Sequence, residues 1–174
     1  DIYFLKNKIG LDEKHKLNKS LVFKLFLEMG SNKSINGLDT KTMAFLKKNV
    51  DLIDANFRKN KKYANQFLEI LRSKHNLSSI LNILKNTGIL QKYIPEFEDV
   101  IGQMQFDLFH VYTVDEHTFK VVKSMREMKT LKQKEYKLEN ELINKLPKIE
   151  ILYIAGLFHD LGKGQNGDHS QIGA

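Results

Sequence analysis

A chain of 174 residues with 41% hydrophobic and 28% charged side chains has the make-up of a folded globular protein, long enough to bury a core in one large or two small domains. It holds no cysteine, which excludes disulfides and thiolate metal sites, leaves His, Asp and Glu as metal ligands, and fits a reducing cytoplasm. The net charge of +7 raises a nucleic-acid reading, but the lysines scatter among Glu and Asn with no Arg/aromatic platform, so they read as solvated surface with no nucleic-acid partner.

The hydrophobic period is helical almost throughout. Leu17, Leu21, Val22, Leu25, Phe26 and Met29 form one stripe, with Gly30 as its stop. Asp39-Thr40 caps a helix through Met43, Leu46, Val50, Ile53 and Phe57. Beyond the polar stretch 59–62, Tyr63, Phe67, Ile70 and Leu71 make another stripe; Asn76 then starts a short helix that Gly88 closes. The helical pattern breaks over 88–104, where residues 88–97 read as an apolar, aromatic linker stopped by Pro95, with a domain boundary between 97 and 98. Helical character returns over 111–128, and a charged stretch, 129–144, ends at Pro147. Residues 150–161 are apolar on nearly all sides, which predicts a central, buried helix, and Gly162, Gly164 and Gly167 open a flexible turn behind it. No strand-like alternation persists, so the expected class is all-α: a helical bundle over 1–97 and a second helical domain over 98–174. The longest apolar run, 151–158, has eight residues. A membrane span needs about 20, so no membrane partner is expected. The amino end shows no signal peptide, and its lack of an initiator Met points to a piece of a longer protein.

Chemistry concentrates in the last third, which holds His110, His117, His159 and His169 of the six histidines. His117 lies inside an amphipathic helix, and His159-Asp160 stands at the polar end of the apolar one. A carboxylate there is costly to bury alone and needs a cation, a Lys or several hydrogen-bond donors. Imidazole plus carboxylate suits Mn, Fe or Zn better than Ca, and a metal so held acidifies a water and polarises a phosphate. Convergence of His117 with His159 and Asp160 is therefore expected, to within roughly 5 Å for ligands of one ion. Lys163 shares the face of His159 if the helix continues, where it would neutralise a phosphate or leaving group. His15 and His75 have no neighbouring constellation and read as packed or surface residues.

The segment Tyr93-Ile94-Pro95-Glu96-Phe97, the run from Gly102 to Thr118, and Leu157-Phe158-His159-Asp160-Leu161-Gly162-Lys163-Gly164 with the following Gly167-Asp168-His169-Ser170 resemble the bacterial PII uridylyltransferase/uridylyl-removing enzyme family. The match is dense from about Phe67 to Ala174. Upstream it is looser and resembles the helical segment joining that family's two catalytic domains. The resemblance implies an HD domain that hydrolyses the uridylyl-tyrosine phosphodiester on the PII nitrogen-signalling protein and releases UMP. It implies His117, His159 and Asp160 as ligands of a divalent metal, Mn2+ or Mg2+, and His169 as a ligand of a second metal or a phosphate contact. His110 and Lys163 would serve the catalytic step as supporting or substrate-facing groups.

The sequence departs from the family in having no Gly-Ser nucleotidyltransferase motif and no βαββ regulatory repeat. The resemblance also implies a final Asp ligand from a later helix, and the chain stops at Ala174 before any such helix. The expectation is a fragment with an incomplete site that holds metal poorly and lacks appreciable uridylyl-removing activity. Rival readings are an HD hydrolase of a free nucleotide, which the long run from Gln103 to His117 argues against, and a non-catalytic helical interaction module. The sequence leaves the oligomeric state open.

Overall fold

The computed structural model describes residues 2–12, 17–104, 112–131 and 134–164. Their contacts divide the chain into two compact units, Asp1–Pro95 and Glu96–Ala174.

The first unit opens with a feature the hydrophobic pattern does not announce. Lys6, in the left-handed region at φ 54°, turns strand β1 (Ile2–Leu5) back on β2 (Lys8–Leu11) in an antiparallel pair that sets Ile2 opposite Leu11. A two-residue strand β3 (Gly37–Leu38) adds to β2 in parallel, so the unit is helical with a small three-stranded sheet, order β1-β2-β3. The expected helical class holds, and the small sheet escapes the hydrophobic pattern because its strands are four residues or shorter, too brief for alternation to register.

The helices follow their caps. Asn18 accepts from Ser20 N ahead of α1 (Lys19–Ser31), Asp39 from Thr42 N ahead of α2 (Thr40–Lys48), Asp54 from Phe57 N ahead of α3 (Ala55–Lys59), and Asn60 from Lys62 N ahead of α4 (Lys61–Leu71). The single helix expected from Asp39 to Phe57 is thus broken, with a 3-10 turn at Val50–Leu52 and a new cap at Asp54. Gly30 does not stop α1. It lies inside the helix where a Cβ would sit 2.1 Å from Ser73 Oγ, so its role is close approach. Helix α5 (Leu77–Asn86) follows Asn76, and Gly88, at φ 79°, leads into α6 (Ile89–Tyr93), so the stretch expected to be a linker is partly helical. Aromatic packing closes this core: Phe57 stacks on Tyr63 with ring centroids 3.8 Å apart, and Phe23 meets Phe57 edge-on at 5.2 Å.

In the second unit, α7 (Val114–Met128) and α9 (Ile149–Phe158) pack around Phe119, Val122, Tyr153 and Leu157, with α8 (Lys137–Lys145) contributing Ile143. Burial pushes the Tyr153 hydroxyl above its ordinary range, partly offset by Arg126 beside it. Helix α8 arises within the stretch that reads as merely charged. Helix α9 is not buried all round: Tyr153, Gly156 and Leu157 face inward while Ile151 is 58% exposed. Among the described residues no helix is long and apolar enough to cross a membrane.

One network ties the sheet to α2. Tyr3 donates its hydroxyl to Asp39 Oδ2 at 2.9 Å, Thr42 Oγ1 donates to the same oxygen at 2.7 Å, and Leu11 N donates to Thr42 Oγ1 at 2.8 Å. Gly10 is required beneath it, since a Cβ there would stand 2.0 Å from Asp39 Oδ2. Burial raises the Asp39 pKa, but hydrogen bonds from the Thr42 amide and hydroxyl, Tyr3 and the Lys41 amide outweigh it and leave the carboxyl below its ordinary value of 3.8. A depressed folded pKa means the stabilisation is present above the unfolded value and lost as pH falls through the folded one. Asp39→Ala should cost at least the roughly 1 kcal/mol of a helix cap in urea unfolding. Asp39→Asn, which keeps a cap without the charge, should lose less stability than the wild type as pH is lowered below about 4; equal acid slopes would contradict this account.

Candidate metal centre

Helices α7 and α9 run antiparallel and close because Gly156 has no side chain: a Cβ there would meet Met125 Sδ at 3.0 Å, Met125 Cε at 3.2 Å and Val122 Cγ2 at 3.4 Å. This contact sets the first turns of α7, which carry His117, against the end of α9, where His159 and Asp160 follow directly. One ligand atom from each of His117, His159 and Asp160 lies within 4.8 Å of the others. His117 Nε2 is 3.7 Å and His159 Nε2 3.3 Å from Asp160 Oδ2, and the imidazole centroids are 5.5 Å apart.

The backbone fixes the histidine on α9. His159 Nδ1 lies 2.8 Å from the Gly156 carbonyl, which can only accept, so Nδ1 carries the hydrogen and Nε2 faces Asp160. On a neutral ring, Nε2 and the carboxylate oxygen are two acceptors facing each other at 3.3 Å, an arrangement that asks for a cation between them or a proton on the imidazole. Neighbouring donors on one ion, at bonds of about 2.0–2.2 Å, stand roughly 3–3.5 Å apart, so the set fits a divalent metal with small adjustment. A bound ion would supply Lewis acidity toward a phosphate oxygen and an acidified water.

Asp160 is 6% exposed, whereas the two histidine side chains are about one-third exposed, which leaves the cluster open on the imidazole side. The expected place of Lys163 is corrected: α9 ends at Phe158, a 3-10 turn covers Leu161–Gly164, and Lys163 Nζ lies 2.8 Å from Asp160 Oδ2. Its ammonium is therefore engaged with the buried carboxylate. That turn is held from the other side, since Gln103 Nε2 donates to the Lys163 carbonyl at 3.0 Å and Val114 N donates to the Gln103 carbonyl at 3.0 Å. Buried Asp115 accepts from Gly102 N at 3.0 Å and anchors the same loop to the start of α7. His110 and His169 lie outside the described residues.

The sequence reading missed Gly156, Gln103 and Asp115. Gly156 carried a readable signal, a lone small residue within an apolar helix three positions before His159. The other two are legible only once the loop 102–104 is seen against the Lys163 turn.

Residues 9–93 match the family model described as the uridylyltransferase GlnD third domain, and residues 114–174 match the HD domain model. The chain is 40% identical over 154 residues to a bifunctional uridylyltransferase/uridylyl-removing enzyme of Ectopseudomonas mendocina (strain ymp), covering 88% of this chain and 17% of that protein. It is 41% identical over 157 residues to the enzyme of the same description from Azotobacter vinelandii (strain DJ / ATCC BAA-1303), covering 89% and 17%. The chain thus spans about 17% of the length of the curated relatives it matches. No solved structure matches it significantly.

Met125 is a flexible neighbour, so Gly156→Ala should be close to neutral, its crowding offset by the roughly 1 kcal/mol gain in helix propensity. Gly156→Val should cost about 1–3 kcal/mol by overpacking and move His159 away from His117. Thermal unfolding of the three proteins checks the order; a valine variant as stable as the wild type would show that the helices are not in contact there.

Proposed function

The chain belongs to the family of bifunctional uridylyltransferase/uridylyl-removing enzymes, and from that premise we propose that its second unit is the metal-dependent phosphodiesterase centre that removes UMP from uridylylated PII protein. The observation that carries this reading is the convergence of His117, His159 and Asp160 within 4.8 Å. In it the two imidazoles and the carboxylate hold a divalent ion, Mn2+ or Mg2+, in a cytoplasmic enzyme. Gly156 fixes the ligating nitrogen of His159 through Nδ1, and Lys163 keeps the Asp160 carboxylate aimed at the cluster. His110 and His169 complete the reading as a supporting or substrate-facing group and a ligand of a second metal or a phosphate contact. The open imidazole side is where a tyrosyl-uridylyl phosphodiester on a folded protein approaches.

Titration of the metal-free full-length protein with Mn2+ should show a site that His117→Ala weakens and Asp160→Ala abolishes, whereas the 174-residue chain by itself should hold Mn2+ weakly. With the full-length protein, uridylylated PII should release UMP in proportion to site occupancy, and Asp160→Ala there should lower that release at least a hundredfold, whereas the 174-residue chain by itself should release little. Undiminished turnover by the Asp160→Ala variant would place the reaction elsewhere.

A further inference from the structure

His117 stands at one end of a cleft of about 590 Å3 between α7, α8 and α9, a size suited to a small organic ligand. Its walls are largely apolar, with Val121, Met125, Leu142 and Leu152 among them, and its charged groups lie apart from one another. Lys120, one turn beyond His117 on the same face of α7, is at the metal-ligand end. Glu139 is at the other: its neighbour Asn140 donates to the Met128 and Lys129 carbonyls, which places it near the end of α7, about 16 Å from His117 along the helix. The cleft therefore has a cationic end beside the histidines and an acidic end away from them.

Among the described residues, the contact that holds the Lys120 ammonium is an aromatic face: Nζ sits 3.0 Å from the centroid of the Tyr112 ring, which is 42% exposed. An exposed cation–π contact is weaker than a charge-assisted bond to a phosphate oxygen, so an arriving anion can take the ammonium from the ring. Lys163 is placed differently, since its Nζ bonds the buried Asp160 carboxylate. Drawing it onto a substrate would strip a countercharge from a carboxylate that is 6% exposed.

Resting on the phosphodiesterase reading above, we propose that Lys120, kept in place on Tyr112, is the substrate-binding residue that pairs with the phosphodiester anion at the His117 end of the cleft. Lys163 is then a positioning residue for Asp160. No bond is made or broken by Lys120. It supplies charge and orientation, and hands over to phosphate a cation already held beside the metal ligands.

The test uses the full-length protein and two titrations, Mn2+ into the metal-free form and UMP into the Mn2+-loaded form. Lys120→Gln should weaken UMP binding about tenfold, the worth of one charge-assisted contact, while Mn2+ affinity stays within about twofold. Lys120→Arg should restore most of the UMP affinity and serve as the control for folding. Lys163→Gln should instead change Mn2+ affinity. A Lys120→Gln variant that binds UMP like the wild type, or that loses Mn2+ and UMP in parallel, overturns the assignment. A wild-type protein that takes up Mn2+ but no UMP overturns it too while leaving the metal site standing, whereas one that takes up no Mn2+ removes the phosphodiesterase reading from under it.

Discussion

Two antiparallel helices can bring side chains near their opposite ends together only if their axes run close, and between α7 and α9 the closeness is set at Gly156. Packed helices usually lie about 8–10 Å apart, the smaller figure where a glycine faces the neighbour. Val122 and Met125 occupy the space a side chain would have taken, and the histidine cluster lies a few residues further along on both helices. The carbonyl of Gly156 also accepts from His159 Nδ1, so one residue governs both the helix spacing and the orientation of one candidate ligand. Conserving such a geometry is a matter of volume more than of charge.

The second constraint is the buried carboxylate that this spacing creates. A lone Asp160 at 6% exposure would be costly, and the fold compensates it with the Lys163 ammonium while two imidazoles face the same carboxylate. Those partners must themselves be held. The Lys163 turn is pinned by Gln103, and the Gln103 loop is pinned to α7 through Val114 N and Asp115. The unit is thus organised from the carboxylate outward, and a divalent ion would enter a cluster whose charges are already arranged.

How much of this was legible in the sequence depends on the range of the interaction. The stripe Tyr63, Phe67, Ile70 and Leu71, the cap at Asp39 and the pairing of a helical His117 with His159-Asp160 all rest on periodicity or on the cost of burying a charge, and those act locally. The hairpin was not legible, because Lys6-Asn7 lacks the glycine that marks most two-residue turns and β1 has no alternation. Helix α8 was hidden in its charge, since Ile143 is its buried residue while Leu138 and Leu142 lie exposed. The direction of Lys163 depended on where α9 ends, and helix ends are set by tertiary contacts that spacing does not encode.

Asn76 joins segments distant along the chain. Held in the left-handed region at φ 61°, it directs Nδ2 at the carbonyls of Met29, Asn32 and Ile35, so one amide with two hydrogens serves three acceptors from the end of α1 and the loop beyond it. These bonds span 41 to 47 residues, and each closes a long loop whose entropy must be met before the contact contributes. Tyr3 and Leu11 reach across 36 and 31 residues in the same unit. A domain stitched this way has little room for partial order: the end of α1, the start of α5 and the hairpin gain their partners together or not at all, and the first unit should melt as one cooperative block, without fraying helix by helix.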